Sequence, residues 1–281
     1  MNPTYATAQK RLEAYYDPGE SKATLQLLVE DLLGLNWSRV AMGLQPLADE
    51  DATKLVDAVE RIIAGEPPQH LTGIAWFYGR AFQVDNRVLI PRPETEELVA
   101  WVLSKMKDQA WRILDIGTGS GCIPISLALE APEAQLAAID LSKEALQVAS
   151  QNAEKLEAKV SFSQHDILNF QPTAFTQLDC IVSNPPYVPQ GEFGEMSARV
   201  RDHEPRMALF VPDEDPLRFY EALAKAGNVW LKPGGHLFCE IHADYGKETV
   251  ALFENQGYKE VFLQKDMQQR DRMVHAVRDM R

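Results

Sequence analysis

The chain has 281 residues, of which 45% are hydrophobic and 25% charged, values typical of a soluble globular protein with one larger and one smaller domain. It contains no apolar run near the ~20 residues needed to span a bilayer and no basic segment followed by an apolar core at the N-terminus, so we expect neither a membrane span nor a signal peptide. The net charge is −13, and both the first 85 residues and the remainder are acidic, which argues against a nucleic-acid substrate.

The first part of the chain has the pattern of helices. Apolar residues recur at helical spacing over residues 25–33 and 55–63. From residue 71 the sequence contains two short segments rich in β-forming residues, one on either side of Tyr78-Gly79-Arg80, and this pattern predicts a hairpin. We therefore predict a helical domain over residues 1–70 and a hairpin linker over residues 71–92.

Strands and helices alternate after Pro93, and this alternation predicts an α/β fold with a parallel, doubly wound sheet over residues 93–281. The predicted strands cover residues 112–115, 135–140, 159–163, 178–183, 236–241, 259–263 and 273–277. The predicted helices cover residues 94–107, a stretch from about 121, and residues 142–156, 216–230 and 246–255. Cys122, Cys180 and Cys239 are odd in number and set in apolar surroundings, so we expect reduced core thiols, no metal site and a cytoplasmic location.

A glycine-rich loop follows the first of these strands, with the sequence D-I-G-T-G-S-G over residues 115–121. Glycines permit a tight turn and close approach to a ligand. The spacing lacks the third glycine of a dinucleotide site, which would stand at Cys122, and no phosphate-binding Lys follows. The loop therefore suits a nucleoside without a pyrophosphate, and S-adenosylmethionine is the obvious candidate. The loop residues predicted to bind it are Gly117, Thr118, Gly119, Ser120 and Gly121.

Acidic residues stand at the ends of three successive predicted strands. Asp140 lies 19 positions after Gly121 and could accept hydrogen bonds from both ribose hydroxyls. Asp166 could bind the adenine amino group, with Ile167 packing on the ring, and Asp115 could receive the methionine ammonium, directly or through water. Any one of these acids could instead cap a turn. Together they suit a cofactor that carries a sulfonium cation.

Asn184-Pro185-Pro186-Tyr187 directly follows the apolar strand 178–183. Prolines have no N–H group, so this stiff turn offers carbonyl acceptors, to which Asn184 adds a side-chain carbonyl next to the cofactor site. The motif can hold both hydrogens of a planar –NH2 group, with Tyr187 packed on its plane. We predict Asn184, Pro185 and Tyr187 as catalytic residues and all four as substrate-binding residues, with Asn184 also binding the cofactor. A proline turn in which Asn184 acts only as a local cap is the alternative.

Three motifs together resemble one family. L-I-P-R-P-E-T-E over residues 89–96, N-P-P-Y-V-P over 184–189 and E-P-R-M-A-L over 204–209 are similar to segments of the HemK/PrmC family, a branch of the class I S-adenosylmethionine-dependent methyltransferases. The resemblance spans roughly residues 67–272. The chain departs from the family pattern over residues 210–215 and 266–272, where glycines are usual.

This resemblance implies a Rossmann-like, seven-stranded and mostly parallel sheet with a small N-terminal helical domain and a linking β-hairpin. It implies methyl transfer to the N5 amide nitrogen of the glutamine in the Gly-Gly-Gln motif of class 1 peptide-chain release factors, a step that bears on translation termination. We expect the helical domain to dock this protein substrate and the enzyme to be a monomer.

Two other functions remain open from the sequence. N-P-P-Y alone also suits adenine-N6 or guanine-N2 methyltransferases of nucleic acids, which hold the amino group of a flipped base. A cofactor-binding scaffold without catalysis is the second alternative, although a scaffold would not need a motif that binds a substrate amino group.

Overall fold

A computed structural model describes residues 3–106 and 110–281. By its own contacts the chain forms two compact units. The smaller unit extends to Ile74 and includes Val84–Asn86 and Ser197–His203, and the larger comprises the other described residues. The domain division at residues 70 and 92 remains a prediction. In the described part of the chain, no helix combines the length and the hydrophobicity needed to cross a membrane.

The smaller unit is helical, as its apolar periodicity predicted. Its N-terminal helices are α1 (Pro3–Glu13), α2 (Pro18–Leu27), α3 (Trp37–Ala41), α4 (Asp49–Ile63) and α5 (Pro68–Thr72). Helix α2 begins where it does because the carboxylate of Asp17 accepts the N–H groups of Gly19 and Glu20, and Pro18 needs no partner in the first turn. Leucine side chains of α1, α2 and α4 form the core of this unit.

The predicted hairpin is present as strands β1 (Ile74–Phe77) and β2 (Arg80–Gln83). The turn between them has positive φ at both central residues, 50° at Tyr78 and 73° at Gly79. Two such residues match the twist of a tight two-residue hairpin. Phe77 and Phe82 pack edge to face, with ring centroids 6.0 Å apart, in the core of the larger unit.

The larger unit is built on a seven-stranded sheet. Its strands are β3 (Arg112–Ile116), β4 (Gln135–Asp140), β5 (Val160–Gln164), β6 (Leu178–Ser183), β9 (Leu231–Glu240), β10 (Lys259–Lys265) and β11 (Asp271–Val277), and a separate short pair is formed by β7 (Val188–Pro189) and β8 (Phe210–Val211). The order across the sheet is β10-β11-β9-β6-β3-β4-β5. Strand β11 runs antiparallel to both of its neighbours, and the other pairings are parallel. This confirms the mostly parallel α/β fold.

Helices cover both faces of this sheet. They are α6 (Pro93–Met106), α7 (Cys122–Glu130), α8 (Lys143–Lys155), α10 (Arg218–Trp230) and α11 (Gly246–Asn255), and the short helix α9 (Ala198–Arg201) belongs to the smaller unit. The predicted end of α6 at Lys107 lies outside the described residues. Successive residues of β3 enter opposite cores, with Ile113 on one face and Leu114 on the other. The three cysteines are buried and unbridged, as expected.

The chain order of the strands fixes where a ligand can bind. From β3 the chain proceeds to β4 and β5 on one side and then returns to β6 on the other side of β3. Open α/β sheets bind ligands at the carboxyl ends of the strands beside such a reversal. The glycine loop and N-P-P-Y follow β3 and β6 at this edge.

Candidate active site

A pocket opens at the carboxyl edge of β3, β4 and β6. Of the residues predicted from the sequence, those that line it are Gly117, Gly119, Asp140, Asp166, Ile167, Asn184, Pro185 and Pro186. Asp115, Thr118, Ser120, Gly121 and Tyr187 lie outside the lining. The walls also contain two segments that were not predicted to bind the cofactor. They are Arg87–Leu89 and the residues Pro205, Met207 and Ala208.

The first three N–H groups of the glycine loop are already hydrogen-bonded within the protein. Those of Gly117 and Thr118 donate to the carbonyl of Ile139 at 2.9 and 3.0 Å. The N–H of Gly119 donates to a carboxylate oxygen of Asp140 at 2.9 Å. Because these donors are taken, the loop does not form a nest of free N–H groups for a phosphate. This agrees with the prediction of a ligand without a pyrophosphate.

Gly121 has a packing requirement. A Cβ atom there would lie 2.9 Å from Cδ1 of Ile125 and 3.1 Å from Cβ of Ala149, and its φ is +81°. The residue therefore lets α7 approach α8 closely at a backbone conformation that favours glycine. The neighbouring hydroxyls of Thr118 and Ser120 are buried and have no hydrogen-bond partner in the described structure.

The two acids that line the pocket are held by local hydrogen bonds. Besides Gly119, Asp140 accepts the N–H of Ser142 at 2.9 Å, and burial raises its pKa. Asp166 accepts the N–H of Leu168 at 2.9 Å and the side-chain amide of Asn169 at 2.6 Å. Each carboxylate oxygen has a second lone pair, so both acids can still accept hydrogen bonds from a ligand.

Asp115 lies within β3, one residue before its end, and is completely buried. Neither of its carboxyl oxygens makes a hydrogen bond of normal geometry among residues 3–106 and 110–281, although the Thr118 hydroxyl and the N–H of Ile116 lie near enough to act against a raised pKa. Burial raises its pKa to about 7, and the nearby charge of Asp140 acts in the same direction. A buried carboxyl with few partners is costly, and an ammonium group would relieve that cost, so its chemistry suits the amino-acid end of S-adenosylmethionine. Asp115 does not line the pocket, and its contact with that ammonium therefore stays a prediction.

The N-P-P-Y turn places Asn184 and its two prolines on the pocket wall, while Tyr187 points elsewhere. The hydroxyl of Tyr187 donates to Oε1 of Glu240 at 2.9 Å, and its ring packs edge to face on His242. Burial raises the pKa of Tyr187 far above its usual range, so this hydroxyl is a neutral donor. The predicted packing of Tyr187 on the substrate amide stays a prediction.

Hydrogen bonds to Thr95, and through it to Glu240, hold the Asn184 amide on the side away from the pocket. Its Nδ2 donates to Oγ1 of Thr95 at 3.1 Å, and the Thr95 hydroxyl donates to Oε2 of Glu240 at 2.7 Å. Sequence reasoning missed both partners. Thr95 belongs to the P-R-P-E-T-E motif, and Glu240 ends β9 in the same way that Asp140 ends β4. The position of Glu240 at the end of a strand could therefore have indicated from the sequence that it belongs to the site.

The wall made by residues 204–209 is tied to the rest of the site by hydrogen bonds. Arg92 pairs with Glu204 at 2.6 Å, and the N–H of Val188 donates to the carbonyl of Leu209 at 2.9 Å where β7 pairs with β8. These contacts bring the three sequence motifs together around one pocket.

Comparison with known proteins gives family matches over the N-terminal and central parts of the chain. The family model of the PrmC N-terminal domain matches residues 4–73, and that of the methyltransferase small domain matches residues 96–200. A release factor glutamine methyltransferase of Bacteroides thetaiotaomicron is 43% identical over 279 residues, covering 99% of this chain and 100% of the relative. One from Flavobacterium psychrophilum is 38% identical over 272 residues, covering 94% of each chain.

Among solved structures, a methyltransferase from Pyrococcus furiosus superposes with a TM-score of 0.53 at 15% identity. The match covers 79% of this chain and 98% of that one. At this identity the likeness supports the class I methyltransferase fold alone.

Proposed function

The chain belongs to the release factor glutamine methyltransferases, and we propose that it methylates the N5 amide nitrogen of the glutamine in the Gly-Gly-Gln motif of class 1 release factors. The observation that carries the site assignment is the position of Asn184. Its amide lines the pocket at the carboxyl end of β6, with its nitrogen bonded to Thr95 and its carbonyl oxygen without a partner in the described structure. The nucleic-acid alternative is not favoured, because the relatives carry the name of a protein-modifying enzyme.

The methyl donor is S-adenosylmethionine, which when bound supplies a methyl group on an electrophilic sulfonium. We assign its adenosine part to Asp140, Asp166 and Ile167, beside Gly117 and Gly119 of the loop. Its ammonium is assigned to Asp115. The acidic lining suits a cation.

An amide nitrogen is a weak nucleophile because its lone pair is delocalised into the carbonyl group. Two acceptors, the side-chain carbonyl of Asn184 and the backbone carbonyl of Pro185, would take the two N–H bonds of the substrate glutamine. Such fixed acceptors orient the nitrogen and stabilise the positive charge that develops on it. The N-P-P-Y motif offers no side chain suited to act as a base on that nitrogen, so the proton leaves to water after the methyl has moved.

We propose that residues 1–70 dock the release factor, since a glutamine on a loop needs protein contacts away from the chemistry. We also propose that the enzyme works as a monomer in the cytoplasm without binding nucleic acid directly, in keeping with its net charge of −13.

The test uses the purified enzyme, methyl-labelled S-adenosylmethionine and two versions of a class 1 release factor, one natural and one with the motif glutamine changed to alanine. Label on that glutamine in the first and none in the second is the expected result, with the position fixed by fragment masses. A cofactor-binding enzyme that labels neither version, or both equally, would overturn the proposed substrate.

A further inference from the structure

Glu240 is a buried acid that the mechanism above does not use. Its residue exposure is 1%, and its carboxylate accepts one hydroxyl on each oxygen, from Thr95 at 2.7 Å and from Tyr187 at 2.9 Å. Both hydroxyls belong to motifs that reach the pocket. A buried carboxylate is costly unless it is paired, so its position behind Asn184 calls for an explanation.

With Glu240 ionised, counting protons fixes the direction of each hydrogen bond. A carboxylate can only accept, so Thr95 and Tyr187 must each donate their single hydroxyl proton to Glu240. Having used its proton, Oγ1 of Thr95 can only accept from Asn184. The amide nitrogen of Asn184 must therefore face Thr95, which turns Oδ1 away from Thr95.

The surroundings of Glu240 bear on its charge. Burial raises its pKa above the usual range and Glu94 acts in the same direction, while the two hydroxyls and the positive charge of Arg272 act against this. Arg272 is itself paired with Asp266 at 3.1 Å. The two hydroxyl donors and the cation are the partners that a buried carboxylate needs.

We propose that Thr95 and Glu240 are positioning residues that lock the Asn184 amide with its oxygen toward the substrate, and that this lock makes the site select an amide over a carboxylate. The inference rests on the proposed role of Asn184. With the lock in place, the substrate meets two acceptors, Oδ1 of Asn184 and the carbonyl of Pro185. A glutamine offers two N–H donors to them, whereas a glutamate would bring a third and fourth acceptor and be repelled.

The test compares Thr95→Val, which keeps the shape but removes the hydroxyl, with Thr95→Ser, which restores it. Without the hydroxyl, the Asn184 amide can turn and offer its nitrogen to the substrate. We expect kcat to fall about tenfold or more in Thr95→Val, the worth of one oriented hydrogen bond, and to recover in Thr95→Ser. Cofactor binding, measured by calorimetry, should stay close to wild type in both.

A second readout separates orientation from general damage. Two release factors, one with glutamine and one with glutamate in the motif, are titrated onto each enzyme without methyl donor. The ratio of their dissociation constants should shift toward glutamate by about tenfold in Thr95→Val and return to the wild-type ratio in Thr95→Ser. An unchanged ratio in a folded Thr95→Val enzyme would overturn the lock.

Asn184→Ala serves as the reference variant. If it retains full turnover, the proposed role of Asn184 itself fails. If it is inactive while Thr95→Val keeps both the wild-type kcat and the wild-type ratio, the site assignment stands and only the lock fails. Unfolding curves on all three variants establish that each is folded.

Discussion

The guanidinium of Arg92 lies 2.6 Å from one carboxylate oxygen of Glu204, and the other oxygen accepts the N–H of Ile90 at 3.3 Å. The Glu204 side chain is only 1% exposed, and the Arg92 side chain is 31% exposed. Since Arg87–Leu89 and Pro205 line the same pocket, this one carboxylate joins two of its walls. The pair thus connects the P-R-P-E-T-E and E-P-R motifs physically.

Replacing Arg92 with methionine should destabilise the protein by about 3–5 kcal/mol at pH 7, because it leaves Glu204 buried without an opposite charge. Burial raises the pKa of Glu204 and Arg92 opposes this, so the loss should shrink as the pH is lowered and Glu204 becomes neutral. Denaturant unfolding at two pH values measures both effects. Arg92→Lys, which keeps the charge, is the control, and equal stability of the two variants at pH 7 would contradict the role of the pair.

Much of the fold could be predicted because buried parallel strands are short apolar runs bounded by polar turns. The predicted limits of β4 and β6 agree with the structure, and so do those of α11. Strand β9 is longer at its start than predicted, since it includes Lys232-Pro233-Gly234-Gly235, whose composition is typical of a turn. The register shift in its pairing with β6 accommodates this segment.

Other features depend on tertiary contacts that leave no local pattern. The pairing of β7 with β8 joins segments about twenty residues apart in sequence, and each strand has only two residues. Ser197–His203 belongs to the smaller unit, where Arg199 pairs with Glu20 and stacks over the ring of Tyr16. These contacts link residues far apart in the sequence, so periodicity could not reveal them.

At the site, the sequence could identify residues that line the pocket, but not the residues that hydrogen-bond to them and fix their orientation. Asp140 and Asn184 stand at strand ends, where the fold predicts a ligand. Thr95 lies on α6, far from Asn184 in sequence, so the hydrogen bond between them could be found only from the three-dimensional structure.

Asp140→Asn should weaken S-adenosylmethionine binding by about 10- to 100-fold, the worth of a hydrogen bond to a charged acceptor. The change keeps the size of the side chain but replaces one of two acceptor oxygens with a donor. Calorimetry on the purified enzyme measures it. Glu144→Gln is the matched control, since it removes a negative charge from the exposed start of α8, close in sequence. A wild-type affinity in Asp140→Asn would refute the ribose assignment.

The pH dependence of cofactor binding should report on Asp115. Because burial raises its pKa to about 7, the carboxyl is largely neutral below that pH. Under the proposed assignment, it must lose a proton to pair with the cofactor ammonium. We expect affinity to fall up to about tenfold for each pH unit below 7, with a proton released on binding. Titrations in buffers of different ionisation enthalpy measure that proton. In Asp115→Asn the affinity should be weaker at pH 8 and its pH dependence flatter.

The same carboxyl should make the cofactor-free enzyme less stable at high pH. Its pKa is about 7 when folded and 3.8 for an ordinary Asp side chain, so the unfolded chain ionises first and stability is lost as the pH rises from about 4 to 7. The full shift corresponds to about 4 kcal/mol. Asp115→Asn should therefore melt at a higher temperature than wild type at pH 8 and gain little at pH 4. A lower melting temperature at pH 8 would contradict the burial cost.

Asn152 should be a major contributor to the stability of the larger unit. This completely buried amide accepts the N–H of Gln83 at 2.6 Å and donates to the carbonyls of Gln83 and Ser120, both at 2.9 Å. It therefore ties β2 of the hairpin and the glycine loop to α8. Asn152→Ala removes three hydrogen bonds from backbone groups and should cost about 3 kcal/mol in denaturant unfolding. Gln151→Ala, on the exposed side of the same helix, should stay within about 0.5 kcal/mol of wild type. Equal effects of the two changes would show that the Asn152 bonds are replaced by water at no cost.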